Sequence, residues 1–312
     1  MSRRAWFAFA AMSVLWGCSY LLIRIAVRGG MSPADVAWTR VLIAAVLLLA
    51  LSWRAGLLRS VRGRWRWLAI YAVVEISIPF PLIAAGEVHV ASSLAAILIA
   101  AVPLIGAVLA IRFDHSERPT RTRAIGLVIG FAGVIALVGV DVAGSSSELV
   151  GAGAILIAAV GYSIGPMVVK HRLGGLDPRV MMGASLALAT LILTPFAAVD
   201  GSQRLVAAPS AGAWACVVGL GVFCTALAFV VFAVLIREAG TSRATVITYV
   251  NPLVAVVLGV TLEGERPGAG AIAGLLLILA GSWLSTGGRL PPTRRSRARP
   301  DPAGSDPGLT RA

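Results

Sequence analysis

Charged residues are scarce in this chain of 312 residues, where Asp, Glu, Lys and Arg make up 13% of the total. A soluble domain usually carries about 25%. Cysteine is rarer still: the three cysteines lie inside apolar runs and lack the spacing of a metal-binding pair. The shortage of charge argues against a soluble globular protein, and the cysteine pattern predicts neither a disulfide nor a metal site.

The motifs of several enzyme classes are also missing. The sequence contains no GxxxxGK[ST] phosphate loop, no HExxH zinc motif and no GxSxG nucleophile turn. It also has no pair of aspartates at membrane depth of the kind that an intramembrane protease would use. We therefore predict no catalytic residue, no metal and no cofactor, and we expect that the protein is not an enzyme.

Long apolar runs take the place of these motifs. The chain is 58% hydrophobic, with a mean hydropathy of +0.89. A helix needs about 20 apolar residues to cross a bilayer, and within lipid it must satisfy its own backbone hydrogen bonds. The runs predict an all-α integral membrane protein with ten transmembrane helices, at residues 5–25, 33–52, 67–87, 91–112, 122–140, 149–169, 179–199, 212–236, 243–262 and 267–287.

The net charge of +13 indicates topology and not nucleic-acid binding, because the arginines lie in loops and tails between the runs. Positive residues concentrate in alternate loops: the loop from Arg54 to Arg66 is rich in arginine, whereas the preceding loop holds only Arg28. Positive loops favour the cytoplasmic side, so both termini are expected to be cytoplasmic. The Arg/Pro-rich tail, residues 289–312, is too polar to bury a core and is expected to be disordered.

The two halves of the chain resemble each other. The order Pro, Glu-Arg-Pro, Gly, Gly occurs twice, at Pro103, 117–119, Gly126 and Gly133 and again at Pro252, 265–267, Gly274 and Gly281. Five helices per copy is an odd number, so the second copy enters the membrane from the opposite side. Inverted repeats of this kind are typical of secondary transporters, whose substrate site lies near the midplane. We expect repeats over residues 1–143 and 144–288.

Several short motifs carry a family resemblance. They are Leu15-Trp16-Gly17-Cys18-Ser19 in the first helix, Ser92-Ser93-Leu94 leading to Pro103, and Tyr249-Val250-Asn251-Pro252 followed by Glu263-Gly264-Glu265-Arg266. With them the chain resembles the EamA-type transporters of the drug/metabolite transporter superfamily over about residues 5–287. The resemblance implies a solute carrier of the cell inner membrane, often an exporter of amino acids, metabolites or xenobiotics. It does not imply a particular substrate.

Two charges at membrane depth are the first candidates for function, Arg40 in the second span and Glu75 in the third. A charge at a helix centre costs about 2.5–3.5 kcal/mol on insertion scales. In one interpretation Glu75 faces the central cavity, where it binds a cationic or amine-bearing substrate or carries a proton. In the other, Glu75 and Arg40 form a structural ion pair. The sequence leaves both open.

Polar, aromatic and proline residues at depth are further candidates. The expected cavity-lining side chains are Trp16, Ser19, Tyr20, Tyr162, Tyr249 and Asn251, with packing as the alternative for each. Pro103 and Pro252 are related by the repeat, and each removes a backbone hydrogen bond from its helix. We expect both prolines to kink their helices and to act as gating or cavity elements.

The sequence therefore predicts a secondary transporter that moves a small metabolite, amino acid or xenobiotic across the cytoplasmic membrane by alternating access. The resemblance favours export. The alternative is a membrane sensor or assembly module that keeps the fold without transporting. The expected partners are an unidentified small-molecule substrate and the lipid bilayer, with no nucleic acid; proton coupling and a homodimer are left open.

Overall fold

The computed structural model describes residues 2–113, 120–203, 208–239 and 247–285. Within these ranges the chain forms ten apolar helical spans, of which eight are long enough to cross a membrane and two are shorter. The spans are α1 Arg3–Arg28, α2 Pro33–Arg54, α3 Trp65–His89, α4 Ser92–Arg112, α5 Arg121–Val142, α6 Ser146–Leu173, α7 Pro178–Gln203, α8 Ala211–Ala239, α9 Ile247–Leu262 and α10 Ala269–Ser285.

The predicted all-α membrane fold with ten helices is confirmed. Two of the sequence predictions, the disordered tail at 289–312 and the first Glu-Arg-Pro turn at 117–119, lie outside the described residues. Because few residues of sequence separate one helix from the next, successive helices run in opposite directions. The bundle has an Arg28 end, where α1, α3, α5, α7 and α9 finish, and an Arg54 end, where the other five finish.

Hydroxyl side chains begin several of these helices. Ser2, Ser32, Thr120, Ser145 and Ser210 each accept a hydrogen bond from the backbone N–H three residues later. A helix leaves its first N–H groups without intrahelical partners, and a capping oxygen satisfies one of them. These caps explain why α1, α2, α5, α6 and α8 start where they do.

Glycines allow α5 and α10 to pack closely. A Cβ atom at Gly281 would lie 2.5 Å from the carbonyl oxygen of Gly126, and one at Gly133 would lie 2.9 Å from that of Gly274. Small residues spaced in this way let two membrane helices approach backbone to backbone. The glycine faces are therefore used inside the protein, between α5 and α10. The homodimer stays a prediction.

Pro103 lies beside a break in α4, where the helix stops at Ile99 and begins again at Val102. Serine hydroxyls from two other helices donate to carbonyl groups at the break: Ser163 to Val102 at 3.0 Å and Ser282 to Ala100 at 3.4 Å. Pro252 lies inside α9, which is continuous from Ile247 to Leu262. The two repeat-related prolines thus have different structural consequences.

Widened π-helical segments interrupt α3 at Ala72–Ser77 and α8 at Val222–Leu227. In α3, Pro79 has no N–H to donate to the carbonyl four residues earlier, and Ile78 bonds to Val73, five residues back, at 3.0 Å. In α8, the Thr225 hydroxyl donates to the Leu220 carbonyl at 2.8 Å. Such π segments are frequent at functional sites.

The close approach of α5 and α10 can be tested with Gly281→Ala. The new methyl group meets backbone atoms that cannot move aside, so we expect a loss of about 1–3 kcal/mol of stability. The matched control is Gly153→Ala in α6, where a Cβ meets nothing within 4 Å. Thermal unfolding of the purified protein in detergent measures both. Equal effects of the two substitutions would contradict this packing.

Candidate functional site

Glu75 lies on the α3 π segment, and its carboxylate meets α6. Its Oε2 atom is buried and has no hydrogen bond among the described residues. Gly165 of α6 backs the carboxylate, because a Cβ atom at that position would collide with it. A buried carboxylate without a partner is costly, so the group must be neutralised by a proton or paired with a cation.

Arg40 has partners other than the one predicted. Its Nε donates to the Thr225 hydroxyl at 2.7 Å, and its guanidinium carbon lies 4.2 Å from the centre of the Phe80 ring. No ion pair joins Arg40 to Glu75 in the part of the chain that the structure describes, so the predicted structural pair is not formed. The arginine is directed towards the α8 π segment and the Phe80 ring instead.

The predicted aromatic residues fall into two groups. Tyr162 meets Phe80 edge-on, with ring centres 6.5 Å apart, and so lies next to the Arg40 contact. Trp16 packs on α8, where its ring centre is 6.0 Å from that of Phe229 and 5.1 Å from that of Phe232. The structure therefore brings Tyr162 and Arg40 to one place, while Trp16 belongs to a packing contact between α1 and α8.

The hydroxyl groups predicted on α1 differ in their partners. Ser19 is buried and donates to the Trp16 carbonyl of its own helix at 2.8 Å. Tyr20 is partly buried and packs against two hydrophobic clusters. Its hydroxyl lies within electrostatic range of the charges of Glu87 and Arg40. A substrate contact for either residue stays a prediction.

The predicted residues of α9 lie where that helix crosses α1. A Cβ atom at Gly17 would be 3.3 Å from the Asn251 carbonyl oxygen, so the glycine permits the crossing. The side-chain Oδ1 of Asn251 is buried and has no hydrogen-bond partner among the described residues. Tyr249 is partly buried, and Pro252 is buried. A substrate contact for these residues stays a prediction.

Sequence reasoning missed Glu87. This residue is 1% exposed, and both of its carboxylate oxygens are buried without a hydrogen-bond partner in the described residues. The charged groups around it are Arg24, Arg40 and Glu265. The available signal was its position as the last residue of the predicted apolar run 67–87, which placed it in the membrane and not in a loop.

A cluster that joins the two halves lies at the Arg28 end. Glu265, in the turn between α9 and α10, accepts hydrogen bonds from the Ser92 N–H at 2.8 Å, the Ser92 hydroxyl at 2.9 Å and the Ser93 N–H at 3.0 Å. Arg24 of α1 lies 3.7 Å from the same carboxylate. We call Arg24, Ser92, Ser93 and Glu265 the Glu265 latch.

Local backbone features position the latch. Gly264 has φ +66°, a left-handed conformation that glycine adopts without strain. Gly259 leaves room for the carboxylate, because a Cβ atom there would collide with it. Beside the latch, Arg28 and Glu263 form a second ion pair at 2.6 Å. The repeated Glu-Arg-Pro turn thus caps the start of α4, a helix of the other half.

The Arg24 side chain ties the latch to α3. It donates hydrogen bonds to the carbonyl oxygens of Glu87, at 2.9 Å, and Val90. Its guanidinium thereby satisfies carbonyl groups at the end of α3 while it faces Glu265. The latch, which consists of residues of α1, α4 and the turn after α9, is thereby bonded to α3 as well.

Two cysteine thiols meet near Arg40. The sulfur atoms of Cys18 and Cys224 are 3.6 Å apart, and all three cysteines are free.

No group of three His, Cys, Asp or Glu side chains suited to a metal ion occurs in the described ranges. A separate cavity of about 270 Å³ lies between α4, α5 and α10, and it is lined by Pro103, Gly106, Ala107, Ala110, Ile111, Arg123, Leu127 and Ser285.

Comparison with known proteins gives a consistent result. Residues 3–139 and 149–287 match the EamA-like transporter family. An Escherichia coli K12 protein named as an uncharacterized inner membrane transporter, YedA, is 32% identical over 261 residues, which are 83% of this chain and 82% of that protein. An uncharacterized transporter of Archaeoglobus fulgidus is 24% identical over 90% of this chain and 98% of its own length.

Two further similarities concern function and fold. A probable terminal-alkyne amino-acid exporter of Streptantibioticus cattleyicolor is 28% identical over 288 residues, 91% of this chain and 93% of that protein. A solved crystal structure with 20% identical residues superposes with a TM-score of 0.64 and covers 91% of this chain and 98% of that one. At this identity, the structural likeness shows the fold alone.

The latch has a pH dependence with a definite sign. Desolvation would raise the pKa of Glu265, but hydrogen bonds from Ser93 and Ser92 outweigh it and hold the pKa below its usual value. The stabilisation is therefore complete above the ordinary glutamate pKa of about 4.3, and it is lost as the pH falls through the lower, folded-state pKa. Thermal unfolding at a series of acidic pH values measures this loss.

We expect Glu265→Gln to be less stable than the wild type at neutral pH and to lose less stability in acid, because it has no charge to lose. The control is Glu148→Gln in the first turn of α6, which is expected to keep the wild-type pH dependence. A Glu265→Gln protein with the same loss in acid as the wild type would show that the latch carboxylate does not stabilise the fold.

Proposed function

The chain belongs to the EamA-like transporter family and is a multi-pass membrane transporter, not an enzyme; from this premise we propose a secondary transporter that works by alternating access. It exports a small metabolite, amino acid or xenobiotic across the cytoplasmic membrane. The observation that carries the proposal is the unpaired Glu75 carboxylate, which lies between α3 of the first half and Gly165 of the second. A substrate site between inverted repeats is the usual arrangement in secondary transporters.

In the proposed mechanism the two repeats, residues 1–143 and 144–288, move as rigid bodies against each other. The Glu265 latch supports this division, because Glu265 of the second repeat holds Arg24, Ser92 and Ser93 of the first. Opening the Arg28 end requires the carboxylate to leave the N-terminus of α4. Water can then satisfy the freed backbone N–H groups, which keeps the cost of opening modest.

The proposed orientation of the protein in the membrane rests on its positive loops. We place the Arg28 end outside and the Arg54 end, with both termini, in the cytoplasm. In this assignment the latch closes the outer face, so a solute reaches Glu75 from the cytoplasm. Release to the outside follows when the latch opens. A proton that neutralises Glu75 in the absence of substrate is the proposed coupling ion.

Other side chains at membrane depth belong to the proposed pathway. Tyr20, Tyr162 and Asn251 are proposed to contact the solute, with Trp16, Ser19 and Tyr249 in supporting positions on the same helices. Pro103 and Pro252 are proposed gating elements, since a proline weakens the helix at its position. The named amino-acid exporter among the relatives supports export of a solute of that size.

Export can be tested by measuring the solutes in medium and cytosol of cells that express the wild type, Glu75→Gln, Glu148→Gln or an empty vector. We expect at least one solute to accumulate outside with the wild type and with Glu148→Gln. Glu75→Gln should fold and reach the membrane but reduce this export at least about tenfold, the scale of one charged contact. Unchanged solutes with folded wild-type protein, or full export by Glu75→Gln, would overturn the proposal.

A further inference from the structure

The π segments of α3 and α8 occupy related places in the two halves. Each lies in the third helix of its half, and each is contacted by the second helix of the other half: α2 packs on the α8 segment and α7 packs on the α3 segment. The two contacts are therefore counterparts across the pseudo-symmetry. Their side chains differ, and the difference indicates what the α3 segment binds.

An arginine fills the contact at the α8 segment. Thr225, the fourth residue of Val222–Leu227, accepts a hydrogen bond from Arg40 at 2.7 Å. The guanidinium also faces the Phe80 ring at 4.2 Å, within the range of a cation–π interaction. Arg40 is 8% exposed. This half of the pair shows that the fold accommodates a buried organic cation against a π segment.

The counterpart at the α3 segment has no cation of its own. Glu75 is the fourth residue of Ala72–Ser77, the place that Thr225 holds in α8. Ser185 is the eighth residue of α7, counted from Pro178, as Arg40 is the eighth of α2, counted from Pro33. A short serine thus replaces the arginine, and a carboxylate replaces the threonine.

Both groups at the α3 contact have unused hydrogen-bonding capacity. The Ser185 hydroxyl and the Glu75 Oε2 are buried and have no partner among the described residues. Buried polar groups are nearly always satisfied in folded proteins, so each such group calls for a ligand or a proton. Arg40 does not supply it, because its guanidinium lies against Thr225 and Phe80. It bonds to neither the Ser185 hydroxyl nor the Glu75 Oε2 in the described residues.

Aromatic side chains border the Glu75 carboxylate. Tyr71 precedes it by one helical turn in α3, and Tyr162 lies one turn before Gly165, the α6 residue that backs the carboxylate. Tyr162 in turn meets Phe80 edge-on. A carboxylate among aromatic rings is the environment in which proteins recognise ammonium and guanidinium groups.

We propose that Glu75 binds the positively charged ammonium or guanidinium group of an organic solute, at the place in the α3 contact that corresponds to Arg40 in the α8 contact. The proposal rests on the proposed transport function and adds the charge of the substrate to it. The solute donates N–H groups to the Glu75 carboxylate, with Ser185 as a second acceptor within the same contact. A neutral isostere leaves the carboxylate without a counter-ion and binds more weakly.

The test uses the purified full-length protein in lipid nanodiscs and measures binding by calorimetry. The probes are a panel of alkyl and aryl ammonium and guanidinium ions, each paired with its neutral alcohol or amide isostere. We expect at least one cation to bind about tenfold or more tightly than its isostere, as for other hydrogen bonds between charged groups. Glu75→Gln should abolish this preference, and Glu148→Gln should keep it.

The outcomes separate this inference from the transport proposal. A wild type that prefers no cation over its isostere overturns the cation site without any reference to a variant. A Glu75→Gln protein that keeps the preference overturns the assignment to Glu75. If the export assay identifies a neutral or anionic solute, the transport proposal is supported and the cation site is contradicted. If the protein binds cations but moves no solute, the cation site is supported and the transport proposal is contradicted.

Discussion

The absence of water inside the bilayer is the constraint on which this structure depends. Every polar group at depth needs a partner within the protein, and most of them have one. Serine hydroxyls donate to carbonyl groups at the break in α4, and Arg40 is paired with the Thr225 hydroxyl and the Phe80 ring. Glu75 and Glu87 are among the few groups with buried polar atoms that lack a partner in the described residues, and as carboxylates they are the costliest to leave unpaired. They therefore need a functional explanation.

The same constraint explains how the two halves hold together and how they can separate. Close glycine packing joins α5 to α10 through backbone contacts that leave no room to slide. The Glu265 latch, in contrast, is made of ionic and hydrogen-bonded groups near the end of the bundle, where water can replace them. The fold therefore combines a rigid contact with a releasable one, as a transporter with two access states requires.

Much of the fold could be predicted from the sequence, because hydropathy and repeat spacing are properties of the chain itself. The ten spans follow from the length of the apolar runs, and the doubled Glu-Arg-Pro order indicates two related halves. The role of Glu265 could not be predicted, because its partners Ser92 and Ser93 lie in the other half. Only the packed structure brings the turn after α9 to the start of α4.

The candidate site was harder to predict for the same reason. Arg40 and Glu75 lie on consecutive helices, at heights that long side chains could bridge, and the sequence left a pair and a functional Glu75 both open. Which way each side chain points depends on the π segments, and their sequences carry no periodic signal. The arginine consequently contacts α8, and Glu75 is left without it. Glu87 was missed because a single charge at the edge of an apolar run looks like the start of a loop.

The central claim is that Glu75 lies on a path whose outer access is closed by the Glu265 latch. The most direct test measures how fast a thiol reagent labels Glu75→Cys from each face of the membrane. The reagent is positively charged and does not cross the membrane. The background is a chain in which Cys18, Cys216 and Cys224 are replaced by serine. The account predicts labelling from the cytoplasmic face, and faster labelling from the outer face when Glu265→Gln is added. Absence of labelling from both faces, or outer labelling that does not respond to Glu265→Gln, would contradict it.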